Sequence, residues 1–267
     1  MITDRASTLR ERLRGSRQVA RHLGDLAAVG QGPGDVVALS RLLRPGSRRR
    51  READVRVRRL SGAPVRARPG TDDVWALIDT FRGRYHLPPE RAGLRGVARV
   101  WDLGANIGTT MLDFMALWPG AEVVGVELDP GNADVCRRNL RGWPRGSLIE
   151  GAVWCEDGEV AWEVPDGQGE LSGRVGGGGR TARAVSLDSL MAAVPAGERV
   201  DYVKMDIEGA EREVLRRNTA WAARVRCLKV EVHGDYRPED AERDLGGLGF
   251  RTERDLRHPA AVAGWRP

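Results

Sequence analysis

Asp102, Glu127, Lys204, Asp206, Glu208, Glu211 and His233 are the side chains of this 267-residue chain whose types and spacing could do chemistry. Asp102 heads D-L-G-A-N-I-G, in which Gly104 and Gly108 bracket Asn106. Glu127 follows 25 residues later, at the end of the apolar run A-E-V-V-G-V-E. Lys204 to Glu211 read K-M-D-I-E-G-A-E, and His233 follows V-E-V. An imidazole beside carboxylates can take a proton from an alcohol as its oxygen attacks, so His233 is the candidate base, with Asp206 and Lys204 as its catalytic neighbours. Asp206 and Glu208 are also hard oxygen ligands. A divalent cation such as Mg2+ held there would acidify a hydroxyl by a different route.

These groups need a scaffold that brings distant segments together. Arg99–Leu103 is a short apolar run that ends in an acid and a tight glycine turn, and a helical pattern starts at Thr109. This reads as a buried parallel strand turning into a helix, with the turn amides facing a nucleoside. Dinucleotide sites usually show G-x-G-x-x-G without a preceding acid and hold a pyrophosphate on those amides. An acid in that position suits a cationic ligand better. S-adenosylmethionine (SAM), with its sulfonium and α-ammonium, is such a ligand. Glu127 sits where a carboxylate takes ribose hydroxyls. Gly151-Ala152-Val153 ends the third strand, where a wall for adenine is expected.

Strand and helix patterns alternate through this half of the chain. The spacing predicts strands over 97–103, 121–127, 147–153, 200–206 and 225–232. Helices are expected over 107–117, 130–140, 210–217 and 238–246. Glu159–Val164 and Arg180–Val185 read as paired strands around a Gly-rich loop, Asp166–Arg180, that is a candidate lid or a solvated hairpin tip. A short helix follows from Ser186, and Phe250–Thr252 with residues 260–265 close the sheet. Such alternation implies an α/β fold with a doubly wound, mostly parallel sheet. On the strand before Asp206, alternation puts Lys204 and Asp206 on one side, at the topological switch point. Glu211 at a helix start has an equally good structural role, since carboxylates are favoured there.

Taken together, D-L-G-A-N-I-G, G-V-E-L-D-P-G-N, V-S-L-D-S-L and V-D-Y-V-K-M-D-I-E-G-A-E resemble the FkbM family of SAM-dependent methyltransferases, over roughly residues 70–235. The resemblance implies a class I methyltransferase (Rossmann-like) fold with a seven-stranded sheet. It also implies methyl transfer to a hydroxyl oxygen of a small molecule such as a sugar or a specialised metabolite, as in natural product (antibiotic) biosynthesis. By that resemblance Asp102, Gly104, Asn106 and Gly108 approach the methionine part of SAM, Glu127 the ribose, and Ala152 and Val153 remain with the adenine side. Asn106 replaces the middle glycine common in the superfamily, and the resemblance does not account for the chain before about residue 70.

That prelude is basic. Between Arg41 and Arg68 there are eleven arginines against Glu52 and Asp54, within a net charge of +5. The chain holds 41 arginines and two lysines, so arginine is its default cation and Lys204 and Lys229 stand out. An anionic or glycosylated acceptor, or an RNA or nucleotide-linked substrate, would suit a basic segment. The stretch has no aromatic residue for base stacking, which counts against nucleic acid. A non-catalytic SAM-binding protein would have no need for Asp102, Glu127, Asp206 and His233 together. Residues 3–29 carry apolar positions at helical spacing, and Asp54–Leu60 with Pro64–Arg68 read as a β-hairpin with an arginine-bearing face. The expected division is therefore a helical and hairpin extension over 1–90 and a SAM-binding core over 91–267. Cys136, Cys155 and Cys227 are widely spaced and read as reduced thiols of a cytoplasmic protein. No run approaches the ~18 apolar residues of a membrane span, and the start shows no apolar signal-peptide core. A homo-oligomer is compatible with all of this.

Overall fold

The computed structural model describes residues 22–43, 51–163, 174–175 and 179–266. Most of the amphipathic stretch 3–29, Arg44 and Arg48–Arg50, and most of the Gly-rich loop lie outside the described residues. The chain divides into two compact units, Met1–Gly83 and Arg84–Pro267. Tyr85 and His86 lie in the second unit.

In the first unit, helix α1 (22–29) precedes α2 (Pro33–Leu42). Asp35 is buried because its carboxylate accepts the Gly32 and Arg56 amides, each at 3.0 Å, and so ties α2 to the hairpin. Strands β1 (Ala53–Arg56) and β2 (Pro64–Ala67) pair antiparallel, with Val55 opposite Val65 in the core and Arg56 exposed. Arg66 forks onto Asp54, its cross-strand partner, at 2.8 and 2.7 Å, and Arg68 forks onto buried Asp73. Part of the basic charge is therefore answered within the unit. Helix α3 (Asp73–Ile78) runs into a π turn over Asp79–Gly83.

The second unit is built on seven strands. These are β3 (Arg99–Leu103), β4 (Glu122–Glu127), β5 (Gly146–Glu150), β10 (Val200–Met205), β11 (Val225–Glu231), β12 (Arg251–Arg254) and β13 (Ala261–Trp265). Their order is β12-β13-β11-β10-β3-β4-β5, and only β13 runs antiparallel to its neighbours. Counted from the β5 edge along this sheet the order is 3-2-1-4-5-7-6, that of a class I methyltransferase, and its direction reverses between β3 and β10. Helices α4 (Thr109–Leu117), α5 (Pro130–Asn139), α7 (Glu211–Arg216) and α8 (Pro238–Gly247) follow the strands they were expected to follow.

The strand expected over 147–153 is two strands in different sheets. Gly151, at φ +159°, breaks it, and β6 (Ala152–Trp154) leaves to pair with β9 (Arg180–Ser186). β9 also pairs with β7 (Gly158–Glu163), which pairs in turn with β8 (Arg174–Val175), so the expected hairpin becomes a four-stranded side sheet. A Cβ on Gly151 would lie 2.7 Å from the Arg183 carbonyl, so only glycine lets the chain turn there. Helix α6 (Leu187–Ala192) then returns the chain to β10.

The sheet has one apolar face and one polar row. Trp101, Leu103, Val203 and Met205 pack into the core with Leu228 and Val230 of the neighbouring strand. On the opposite face, Lys204 is in register with both Asp102 on β3 and Lys229 on β11. No helix among the described residues is long and apolar enough to cross a membrane. All three cysteines are buried and free.

Candidate functional site

Two loops meet at the sheet reversal. The first is the turn from β3 to α4. Gly104 and Gly108 have φ of +83° and +85°, and Asn106 has φ +50°, a region that asparagine tolerates better than most residues. The glycines serve the protein's own packing. A Cβ on Gly104 would lie 1.8 Å from the Asp206 carbonyl, and one on Gly108 would lie 2.7 Å from the Cys136 sulfur. The turn amides are also bonded at home. Gly104 and Ala105 donate to the Val126 carbonyl at 2.9 and 3.0 Å, and Gly108 donates to Ala105. Asn106 donates to Glu127 Oε2 at 2.7 Å. Four of the turn amides thus have partners within the protein, which suits a site that does not cradle a pyrophosphate.

The turn instead offers buried acceptors. Asp102 is fully buried, Thr110 donates to its Oδ2, and its Oδ1 has no hydrogen-bond partner. Asn106 Oδ1 is likewise buried and unpartnered. Glu127, at the end of β4, also accepts the Asp129 amide at 2.8 Å. Burial pushes its carboxyl up to about 7 despite those two amides. Ala152 and Val153 are buried against the protein itself, with Val153 in the core beside Val126 and Val185.

Lys204 locks the two loops together. Its ammonium donates to the Gly104 carbonyl at 2.8 Å and lies 3.2 Å from Asp206 Oδ2 and 3.4 Å from Asp102 Oδ1. Burial disfavours its charge, but Asp206 and Asp102 overcome that and hold its pKa above the ordinary value. Burial raises the Asp102 carboxyl against the pull of Lys204 and Thr110. The ion-paired form is the one this geometry satisfies, because each ammonium proton then has an acceptor. Lys204 is thus a buried cation held between Asp206, Asp102 and the Gly104 carbonyl.

The second loop runs from β10 to α7. Glu208 has φ +54°, a strained position for a glutamate, next to Gly209 at +111°. Glu211 is fully buried and organises the loop: its carboxylate accepts the Ile207 and Gly209 amides at 3.2 and 2.9 Å. Its Oε1 also lies 2.9 Å from His233 Nδ1, just beyond β11. The other ring nitrogen, Nε2, is 3.6 Å from Asp206 Oδ1 and 3.6 Å from Glu208 Oε2. Burial opposes a charged ring, but Glu211, Asp206 and Glu208 outweigh it and push His233 up to about 9. Burial also pushes Glu208 up to about 7. One atom each of Asp206, Glu208 and His233 lie within 4.8 Å of one another, a spacing that could hold a metal ion.

The structure therefore gathers Asp102, Asn106 and Glu127 on one side of the reversal, and Lys204, Asp206, Glu208 and His233 on the other. Sequence reasoning gave Glu211 a helix-start role of equal weight and passed over Glu231 and His258, which are joined at 2.8 Å close by. Glu231 sits two residues before His233 on the same strand end, which was the available signal.

The profile of the methyltransferase FkbM domain matches residues 102–251, more than half of the chain. The hexuronic acid methyltransferase AglP of Haloferax volcanii is 29% identical over 162 residues, 58% of this chain and 64% of its own length. The match thus spans less than two thirds of that relative. The 2-O-methyltransferase NoeI of Sinorhizobium fredii is 26% identical over 176 residues, 59% of this chain and 70% of its own. Among solved structures, SAM-bound CalS10, an amino pentose methyltransferase from Micromonospora echinaspora, aligns with a TM-score of 0.39 at 13% identity over 70% of this chain and 95% of its own. At that score the likeness adds nothing to the sheet order.

Proposed function

This chain belongs to the FkbM methyltransferase family, and from that premise we propose that it transfers the methyl group of SAM to a hydroxyl oxygen of a small molecule. The relatives' names favour a sugar as that acceptor. The observation that carries the reading is the Glu211–His233 pair at 2.9 Å, standing over Asp206 at the sheet reversal.

The residues present fit SAM. Asn106 Oδ1 is a buried acceptor without a hydrogen-bond partner, and Asp102 Oδ1 faces only the Lys204 ammonium at 3.4 Å, so both have room for a ligand ammonium. Glu127 accepts one backbone amide on each carboxylate oxygen, which leaves further lone pairs for a ribose diol. When bound, SAM supplies an electrophilic methyl on sulfur. The protein's own task is then to hold the acceptor hydroxyl and take its proton. Glu211 fixes the proton of His233 on Nδ1, so that Nε2 faces the acceptor side as the base. Asp206 stabilises the imidazolium that results, and Lys204 keeps Asp206 in place. Positioning supplies much of the remaining rate.

A second reading uses the same groups differently. Asp206, Glu208 and His233 Nε2 would hold a divalent cation such as Mg2+, with Glu211 as the carboxylate behind the histidine, and that cation would acidify the hydroxyl. Calorimetry with SAM, S-adenosylhomocysteine and NAD tests the foundation: binding of the first two without NAD supports methyl transfer, and binding of NAD alone sinks it. Turnover that survives exhaustive chelation supports His233 as base; turnover lost to EDTA and restored by Mg2+ supports the cation.

A further inference from the structure

The carboxyl edge of β11 carries a second imidazole that the methyl-transfer chemistry leaves unused. His258 lies in the loop between β12 and β13, and its Nε2 is 2.8 Å from Glu231 Oε2. The other Glu231 oxygen is 3.8 Å from His233 Nε2, so one carboxylate stands between the two rings. The loop is built to present His258 there. Asp255 Oδ1 accepts the Arg257 and His258 amides at 2.7 and 3.3 Å, and its Oδ2 takes the Lys229 ammonium. Lys229 also donates to the Tyr85 carbonyl.

The rings of Tyr85 and His258 meet in a T-shaped pair, with centroids 4.7 Å apart at 71°. Its segment is pinned on both sides. Arg84 has φ +56° with its guanidinium 3.1 Å from Asp113, and the Tyr202 hydroxyl donates to the His86 carbonyl at 2.6 Å. Strain and clamps of this kind in a connecting segment hold Tyr85 in one place beside the site.

What faces outward is selective. The side chains of Asp206, Glu208, Glu231 and His258 are 21–24% exposed, whereas Lys204 and Lys229 are only 9% and 7% exposed. Carboxylates and rings thus form the surface, with the ammonium groups beneath. Carboxylates accept hydroxyl protons, an aromatic ring covers the C–H face of a sugar, and a carboxylate on the acceptor would meet the three carboxylates of Asp206, Glu208 and Glu231 against the two imidazoles of His233 and His258.

We propose that Tyr85, Glu231 and His258 form the acceptor subsite beside His233, and that it takes an uncharged pyranose in preference to a uronic acid. This rests on the methyl-transfer reading above. Arg257, exposed in the same loop, is the cation that would recruit a uronate instead.

The test uses the full chain saturated with S-adenosylhomocysteine. Methyl glucoside, galactoside, mannoside and their matched uronates are titrated by saturation-transfer NMR. At least one neutral pyranoside is expected to bind about tenfold more tightly than its uronate. Tyr85→Ala and His258→Ala each weaken it about fivefold, while Tyr85→Phe and His258→Gln retain it and S-adenosylhomocysteine affinity and Tm stay unchanged. Uronates binding as well as neutral sugars, no pyranoside binding, or alanine variants without effect each overturn the subsite. Failure to bind S-adenosylhomocysteine at all overturns the methyl-transfer reading beneath it, and the subsite with it.

Discussion

Glu211 Oε1 and His233 Nδ1 are joined at 2.9 Å, from a fully buried carboxylate on one loop to a partly exposed ring on another. The bond decides which ring nitrogen turns toward Asp206 and Glu208, where the proposed acceptor hydroxyl would sit.

Glu211→Gln tests that orienting role. A glutamine still accepts loop amides but cannot stabilise the imidazolium. The expected result is a kcat about 10²-fold lower, with the dissociation constant for SAM changed less than about threefold. Single-turnover rates and calorimetry separate the two effects, and an unchanged kcat would leave Glu211 a loop anchor alone.

His233, pushed up to about 9, is mostly imidazolium at neutral pH, with about 3% neutral at pH 7.5. In the proposed mechanism the neutral form acts as the base, so kcat/KM should rise with pH until a limb near 9 and then level off. Stability should move the other way. A pKa raised on folding contributes stability that is fully present below the unfolded value of about 6.5 and is lost as pH rises through about 9. His233→Ala should abolish both trends, which rate profiles and thermal melts from pH 6 to 10 would show.

Glu127, pushed up to about 7 by burial, accepts ligand hydroxyls best when ionised. SAM affinity should therefore weaken as pH falls below about 7, by up to roughly tenfold per unit. Glu127→Gln should weaken binding about tenfold at pH 8 and flatten the pH dependence. Calorimetry at several pH values reads both, and a wild-type affinity independent of pH would place the ribose elsewhere.

Gly104→Ala combines a left-handed φ of +83° with a Cβ only 1.8 Å from the Asp206 carbonyl. It should cost about 3 kcal/mol, a fall in Tm on the order of 10 °C, and displace Asp206 from Lys204. A melt within a degree or two of wild type would show that β3 and β10 can separate there at little cost.

Much of this was legible in the chain itself. Strand–helix alternation led to a mostly parallel, doubly wound sheet with Asp102 and Asp206 at its reversal, whereas the count of seven strands came with the family resemblance. Period-two alternation was enough to put Lys204 and Asp206 on one side, and they lie 3.2 Å apart. Local rules were less informative where a strand changes partner. Residues 147–153 look continuous, but the Arg183 carbonyl at Gly151 sends Ala152 and Val153 to another sheet.

Tertiary structure alone decided the charges and the partners. Residue types named His233 a base near neutrality, but only folding surrounds it with Glu211, Asp206 and Glu208 and moves it to about 9. Spacing offered the turn amides to a ligand, but only the approach of β4 shows Val126 and Glu127 taking them up. Glu231 and His258 come from separate segments and meet because β11 pairs with β13 in the register Glu231 to Ala261, and Tyr85 is held beside His258 by the Lys229 ammonium on its carbonyl. Short-range pattern governs secondary structure and strand faces, whereas the protonation, exposure and grouping of these side chains depend on contacts between residues far apart in sequence.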